Sequence, residues 1–267
     1  MQPSVLVTGA SSGIGASTAK RLAEHGFRVF GTSRHPAQHV AAAAHVEWIE
    51  MDVHDDASVA KGVAEAAAAA GGLDALVCNA GYGIFGSIEE VTLEAARAQF
   101  ETNFFGVLRC VRAALPDMRR AGRGRIVLVG SLAGRAPIPF QAHYSATKAA
   151  IESMALALRN ELHPTGVKVV LVEPGDIDTG FNDVMDWGDP GASAYAERAR
   201  AAERVIRESL PRAPGPDVVA RAIHTALCAR RPRVRYTIGA ETALTPIGKR
   251  WLPDGIFLRL IRKHFDV

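Results

Sequence analysis

The chain has 267 residues, 48% of them hydrophobic and 22% charged, which is too apolar for intrinsic disorder and long enough to bury one sizeable core. Lys and Arg number 31 against 28 Asp and Glu, and this net +3 is spread along the chain, so no nucleic acid is expected as a partner. Cys78, Cys110 and Cys228 are odd in number, far apart and in apolar surroundings, the pattern of reduced core thiols in a cytoplasmic protein. The start lacks the basic n-region of a cleaved signal, and no apolar run approaches the roughly 18 residues of a spanning helix.

From residue 4 to about residue 240, short Val/Ile/Leu-rich runs alternate with longer Ala- and Leu-rich stretches, which predicts repeated βα units around a parallel sheet. The first strand, 4–8, leads into Gly9-Ala10-Ser11-Ser12-Gly13-Ile14-Gly15 and a helix over 13–25. These glycines stand where backbone turns tightly and approaches a ligand, and a helix N-terminus with exposed N–H groups suits a pyrophosphate. The spacing is G-x-x-x-G-x-G, not the commoner G-x-G-x-x-G, and a plain Gly-rich turn is the alternative. The second strand, 27–32, is followed by Ser33 and Arg34, where an acid would hold the 2′-hydroxyl of an NAD ribose. A small neutral residue beside a fork of donors suits the 2′-phosphate of NADP(H), with NAD(H) as the second candidate and a solvated loop cation as the other reading of Arg34. Ala41 to Ala44 fall in a helical window. After a third strand, 46–50, Asp52 is placed to accept from an adenine amino group, with Val53 against the ring; a local cap carboxylate is the competing reading.

A helix over 56–70, a strand over 73–78 and a long helix over 92–121 follow. Asn103 sits in the apolar stretch Phe100 to Leu108, where an amide needs partners, either in a site or on a local carbonyl. The fifth strand, 125–130, ends at Ser131, and a helix runs over 143–162. Tyr144 and Lys148 are four apart on it and leave the same face; an adjacent ammonium favours the phenolate and lets it exchange protons with a carbonyl or alcohol. Ser131 can place a second donor beside the same substrate oxygen. Beyond a strand over 167–172, residues 180–216 gather Gly180, Gly188, Pro190, Gly191, Pro211, Pro214, Gly215 and Pro216 around Phe181, Met185 and Trp187. Such an insert reads as a substrate-loop lid, or as a linker. A helix over 217–230 and a strand over 233–238 complete the pattern, making one Rossmann-type domain of 1–267. The extension 245–267 mixes Trp251, Phe257, Leu258 and Ile261 with Arg and Lys, which predicts packing over the rest of the protein or an amphipathic helix at a membrane surface. His35 and His39 are four apart without a third ligand, so no metal is expected.

As a set, these residues resemble the short-chain dehydrogenase/reductase family over residues 4 to 180. The glycine motif matches Thr8 to Gly15, the N-A-G motif matches Asn79-Ala80-Gly81, and the catalytic asparagine, serine, tyrosine and lysine fall on Asn103, Ser131, Tyr144 and Lys148. The P-G-x-[IV]-x-T stretch falls on Pro174, Gly175, Ile177 and Thr179. The resemblance implies a doubly wound α/β fold, a seven-stranded mostly parallel sheet with helices on both faces. It makes Tyr144 the proton donor or acceptor and Ser131 the group that orients the carbonyl. Lys148 lowers the tyrosine pKa and holds the nicotinamide ribose, Asn103 anchors a proton-relay water, and Thr179 with the backbone of 175–177 holds the carboxamide. Residues Asn103 to Arg109 and the basic tail are most similar to the 17β-hydroxysteroid-dehydrogenase-like and retinol-dehydrogenase-like branch. That branch implies a hydrophobic secondary alcohol or ketone under a roof of Phe140, Phe181, Met185 and Trp187, and the family resemblance implies a homodimer or homotetramer formed through 92–121 and 143–162. A dinucleotide-sensing regulator on the same fold is the rival, and it would need none of the proton-transfer set.

Overall fold

In the computed structural model, which describes residues 2–39, 45–181, 185–188, 191, 193–239, 248–249 and 251–267, seven strands hydrogen-bond into one sheet. They are β1 (Ser4–Val7), β2 (Arg28–Ser33), β3 (Val46–Glu50), β4 (Ala75–Cys78), β5 (Gly124–Val129), β6 (Val167–Pro174) and β7 (Arg235–Ile238). Their order is β3-β2-β1-β4-β5-β6-β7 and every pairing is parallel, including the edge strand β7. The winding reverses between β1 and β4, and this switch opens a crevice at the carboxyl ends of the strands. The expected windows at Ala41–Ala44, at 182–184, 189, 190 and 192 in the segment 180–216, and at 245–247 and 250 in the extension lie outside the described residues.

The near-continuous apolar strands are buried on both faces because successive side chains point to opposite sides. Leu6, Phe30, Leu76, Ile126 and Leu128 pack on one face with Val59, Val111 and Ile151. Val5, Val7, Val29, Val127 and Val170 pack on the other with Leu22, Val219 and Ile223. The first face is covered by α2 (Asp56–Ala70), α4 (Gly106–Arg120) and α5 (Ala142–Glu161), the second by α1 (Gly13–Glu24) and α7 (Asp217–Cys228). The ends of α2 are set locally: Asp55 accepts from the Ser58 amide at its start, and Gly71 takes the left-handed conformation (φ 70°) at its end.

The helix expected over 92–121 is two helices. It divides into α3 (Leu93–Phe100) and α4, joined by a π-turn over Glu101–Phe105 that carries Asn103 into the interior. The segment 180–216 contains a further helix, α6 (Ala196–Ser209), and the extension ends in α8 (Asp254–Phe265). Phe265 of α8 packs with Ala199 and Ala202 of α6, beside Phe85 and Met185, in a third cluster apart from the two sheet faces. The expected packing of the extension over the protein is therefore present. Cys78 and Cys110 are core thiols, but Cys228 is exposed, since it is the last residue of α7 and faces away from the sheet. Among the described residues no helix is long and apolar enough to cross a membrane.

Candidate active site

The glycine turn is built to keep backbone close to backbone. A Cβ on Gly15 would stand 2.0 Å from the Gly9 carbonyl oxygen, and one on Gly9, whose φ is +63°, would stand 2.9 Å from the Ala80 Cα. Asn79 fixes this approach: its Nδ2 donates to the carbonyls of Thr8 and Gly9, each at 3.1 Å. In return Thr8 Oγ1 accepts from the amides of Asn79 (2.9 Å) and Ala80 (3.1 Å). At the start of α1, Ser12 makes no capping hydrogen bond and the first turn holds no acid. The positive end of that helix is thus left for an anion from outside the chain.

One cavity of about 1190 Å³ runs along the carboxyl edge of the sheet. Ser11, Ser12, Gly13 and Ile14 line it at the turn, Asn79, Ala80 and Gly81 line the floor, and Ser33, Arg34, Asp52 and Val53 line its far end. Arg34 is exposed there, beside His35 and His39. Asp52 fulfils its local reading, since its Oδ1 accepts from the His54 amide at 3.0 Å, while the residue still borders the cavity. Pro174, Gly175, Ile177 and Thr179 form the opposite wall. The Ile177 side chain is spent on the core, so only its backbone is offered to a ligand. Among the described residues no cluster of His, Cys, Asp and Glu has the arrangement of a metal site. A helix start without its own anion, glycines that leave no room for a Cβ, and a long cleft beside them fit a dinucleotide.

Midway along this cavity stand Ser131, at the end of β5, and Tyr144 and Lys148, on the first turns of α5. Lys148 Nζ lies 5.6 Å from the centre of the Tyr144 ring and donates to the Val129 carbonyl at 3.0 Å. Desolvation pushes the Tyr144 phenol up to about 12, against a downward pull from its hydrogen bond with Ser131. It also brings Lys148 down to about 8. Burial is the larger influence on the phenol, and the Ser131 hydroxyl is the group that pulls it down. Asn103 is fully buried, its Oδ1 accepting from the Tyr82 amide (3.0 Å) and its Nδ2 donating to the Tyr82 carbonyl (3.0 Å) and Thr147 Oγ1 (3.1 Å). Thr147 in turn donates to the Tyr144 carbonyl at 2.7 Å, so the π-turn is pinned to the turn of α5 that carries the phenol. Buried Glu173 makes a second such tie: it pairs with Arg135, just past Ser131, and with Arg235, which also holds Glu152 of α5.

A family model for short chain dehydrogenases matches residues 3–187. The chain belongs to the short-chain dehydrogenase family. It is similar to a 3-ketodihydrosphingosine reductase of Bacteroides thetaiotaomicron, 38% identical over 100% of both chains. It is similar also to estradiol 17-beta-dehydrogenase 1 of Rattus norvegicus, 37% identical over 87% of this chain and 72% of that one. Among solved structures, a short-chain dehydrogenase from Streptomyces avermitilis superposes with a TM-score of 0.85 at 34% identity, over 97% of this chain and 95% of the other. A serine dehydrogenase complexed with NADP+ (TM-score 0.76, 27% identity, 90% and 95% covered) and a relative from Burkholderia phymatum in complex with NAD (0.81, 25%, 97% and 95%) share the fold. Both carry a nicotinamide dinucleotide.

In this short-chain dehydrogenase the expected substrate roof divides. Phe181 lines the cavity, its ring 5.6 Å from that of Tyr144. Phe140, Met185 and Trp187 instead pack around Phe85 in the third cluster, with the Arg207 guanidinium 4.1 Å above the Trp187 ring. The apolar wall that sequence reading did not find is helical: Val205 and Ile206 of α6, and Phe257, Leu260, Ile261 and Phe265 of α8. Period-3.6 spacing of Phe257, Ile261 and Phe265 was the available signal.

Proposed function

We propose that this short-chain dehydrogenase reduces a long-chain apolar ketone with NADPH and oxidises the matching secondary alcohol in reverse. The observation that carries the reading is a single cavity with a dinucleotide-shaped end, an apolar end walled by α6 and α8, and Tyr144 with Ser131 between them. Bound there in reduced form, the nicotinamide supplies hydride to the carbonyl carbon. The Ser131 hydroxyl donates to the carbonyl oxygen and holds it in line, and Tyr144 gives its proton to the same oxygen as that oxygen gains charge. A phenol raised to about 12 keeps its proton at neutral pH, which is the form that reduction needs. Lys148, still charged below about 8, stabilises the phenolate left behind. Asn103 positions Thr147 and the backbone of Tyr82, and one lone pair of its Oδ1 is left for a relay water.

Arg34, with no acid at Ser33, supports NADP over NAD. Similarity over the whole chain to a 3-ketodihydrosphingosine reductase supports a long-chain ketone, and similarity to an estradiol dehydrogenase supports a steroid as the second reading. The free Cys78, Cys110 and Cys228 favour a reducing, cytoplasmic setting. Exposed Phe105 and Leu156, on the π-turn and α5, favour a homodimer or homotetramer through those elements. The test is loss of NADPH or NADH absorbance with long-chain ketones, steroids and short ketones. NADPH consumption fastest with the long-chain ketones is expected; consumption with no carbonyl at all would return the chain to a dinucleotide sensor.

A further inference from the structure

Nine large apolar side chains are exposed among the described residues, and four of them, Trp251, Ile256, Leu258 and Leu260, fall within ten consecutive positions of the C-terminal extension. Apolar residues scattered singly over a surface need no explanation, but such a concentration does. The apolar arc of α8 is wider than its packing uses. Phe257, Ile261 and Phe265 turn toward the cavity and the third cluster, whereas Ile256 and Leu260, one turn apart, stand half-exposed on one flank and Leu258 on the other. Charge gathers on the same outward side. Arg259, Arg262 and Lys263 are exposed and make no ion pair among the described residues, while the two acids of the helix are matched from elsewhere: Asp254 pairs with Lys249 and Asp266 with Arg204, each at 3.1 Å. Three cations without counter-charges therefore stand beside exposed hydrocarbon. Leu260 also lines the cavity while remaining 50% exposed, so it marks the rim where the apolar end opens beside α8.

We propose that the outer side of α8, together with Trp251, docks on the surface of an anionic lipid bilayer. Trp251, Ile256 and Leu260 enter the headgroup layer, and Arg259, Arg262 and Lys263 meet the lipid phosphates with their stems along the same apolar boundary. A second copy of the chain is a poorer occupant, since a two-fold axis through this face would set the three cations against their own mates. The docking goes beyond the reductase reading and is measured without turnover. Where that reading also holds, the rim at Leu260 faces the lipid, and an apolar chain passes from bilayer to cavity without crossing water.

The test is co-sedimentation of the full chain with vesicles of phosphatidylcholine alone and of phosphatidylcholine with an equal share of phosphatidylglycerol. Binding to the anionic vesicles, little to the neutral ones, and a fall in binding as salt is raised are expected. Arg259→Gln combined with Lys263→Gln should weaken binding about thirtyfold, at about fivefold for each cation at an anionic surface. Ile256→Gln should weaken it by about fivefold, a loss that charge alone does not predict. Arg119→Gln combined with Arg120→Gln removes the same charge from the exposed end of α4, at the opposite edge of the sheet, and should leave binding within about twofold. Matching thermal melts separate lost binding from lost fold. No binding to either vesicle, binding indifferent to lipid charge, or an equal loss in the α4 variant overturns the proposal. A changed oligomeric state in the α8 variants without vesicle binding overturns it in favour of an interface between copies. A chain that binds the anionic vesicles but reduces no ketone keeps this proposal and loses the reductase reading.

Discussion

Burial decides the protonation of the two central side chains. Tyr144 at about 12 and Lys148 at about 8 both hold protons at neutral pH, and as pH rises through about 8 the lysine loses its charge first. The reduction rate is expected to show an alkaline limb near 8, absent in Lys148→Met, read from kcat/KM against pH. Stability runs the opposite way: the unfolded chain binds the Lys148 proton more tightly than the folded one, so stability rises with pH between about 8 and 10.5, and the cost of burial is complete below about 8. Lys148→Met removes that cost, offset in part by the lost bond to the Val129 carbonyl. It is expected to raise the neutral-pH Tm by about 2 °C or more while cutting kcat about a hundredfold. Tyr144→Phe is expected to cost at least about a hundredfold in kcat/KM, with NADPH affinity by fluorescence titration within about twofold of wild type. Arg34→Ala should weaken NADPH by about tenfold and leave NADH nearly unaffected, and equal losses would remove its phosphate role. The spacing of Tyr144 and Lys148 was legible because helical periodicity fixes which side chains share a face. The direction of the tyrosine shift was not, because desolvation depends on chain segments far apart in sequence.

Between residue and molecule, the junction of β1 with α1 shows why these glycines differ in their demands. Gly15→Ala would place a Cβ 2.0 Å from the Gly9 oxygen, against backbone that the Asn79 clamp holds still. A loss of about 1–3 kcal/mol, seen in thermal melts, and a much weakened dinucleotide affinity are expected. Gly13→Ala would meet only Thr179, at 3.5 Å, and should show the milder strain of its φ of +51°. The inner strands were legible because a strand covered on both faces must be apolar almost throughout, whereas the edge strands β3 and β7 carry Glu47, Glu50 and Arg235 and are only partly buried. The π-turn was not: one extra residue in a turn leaves the composition of 92–121 unchanged while moving Asn103 inward. The helix α6 was hidden for a different reason. The Gly and Pro residues that suggest an irregular lid sit at the ends of 180–216, whereas Ala196–Ser209 contains neither and is rich in Ala, Arg and Glu, all good helix formers.

At the scale of the molecule, the sheet and its two cores form the rigid frame, and the substrate end is closed by elements outside both. Phe257 and Phe265 of α8 are buried, while Ile256 and Leu258 on its flanks are 51% and 46% exposed. The helix therefore seals the cavity through one face only. Because Phe265 belongs to the third cluster and not to either sheet face, loosening α8 should change what binds without unfolding the frame. Phe257→Ala combined with Ile261→Ala removes hydrocarbon from the wall. For a homologous series of ketones, the wild type is expected to gain in kcat/KM with each added methylene at up to about 0.8 kcal/mol, the transfer value of a buried CH2. In the double variant that gain should flatten at the chain length that first reaches α8, and shorter members should be affected least. A variant that lost activity equally across the series would instead place α8 in support of the frame, and the chain-length slope separates the two outcomes.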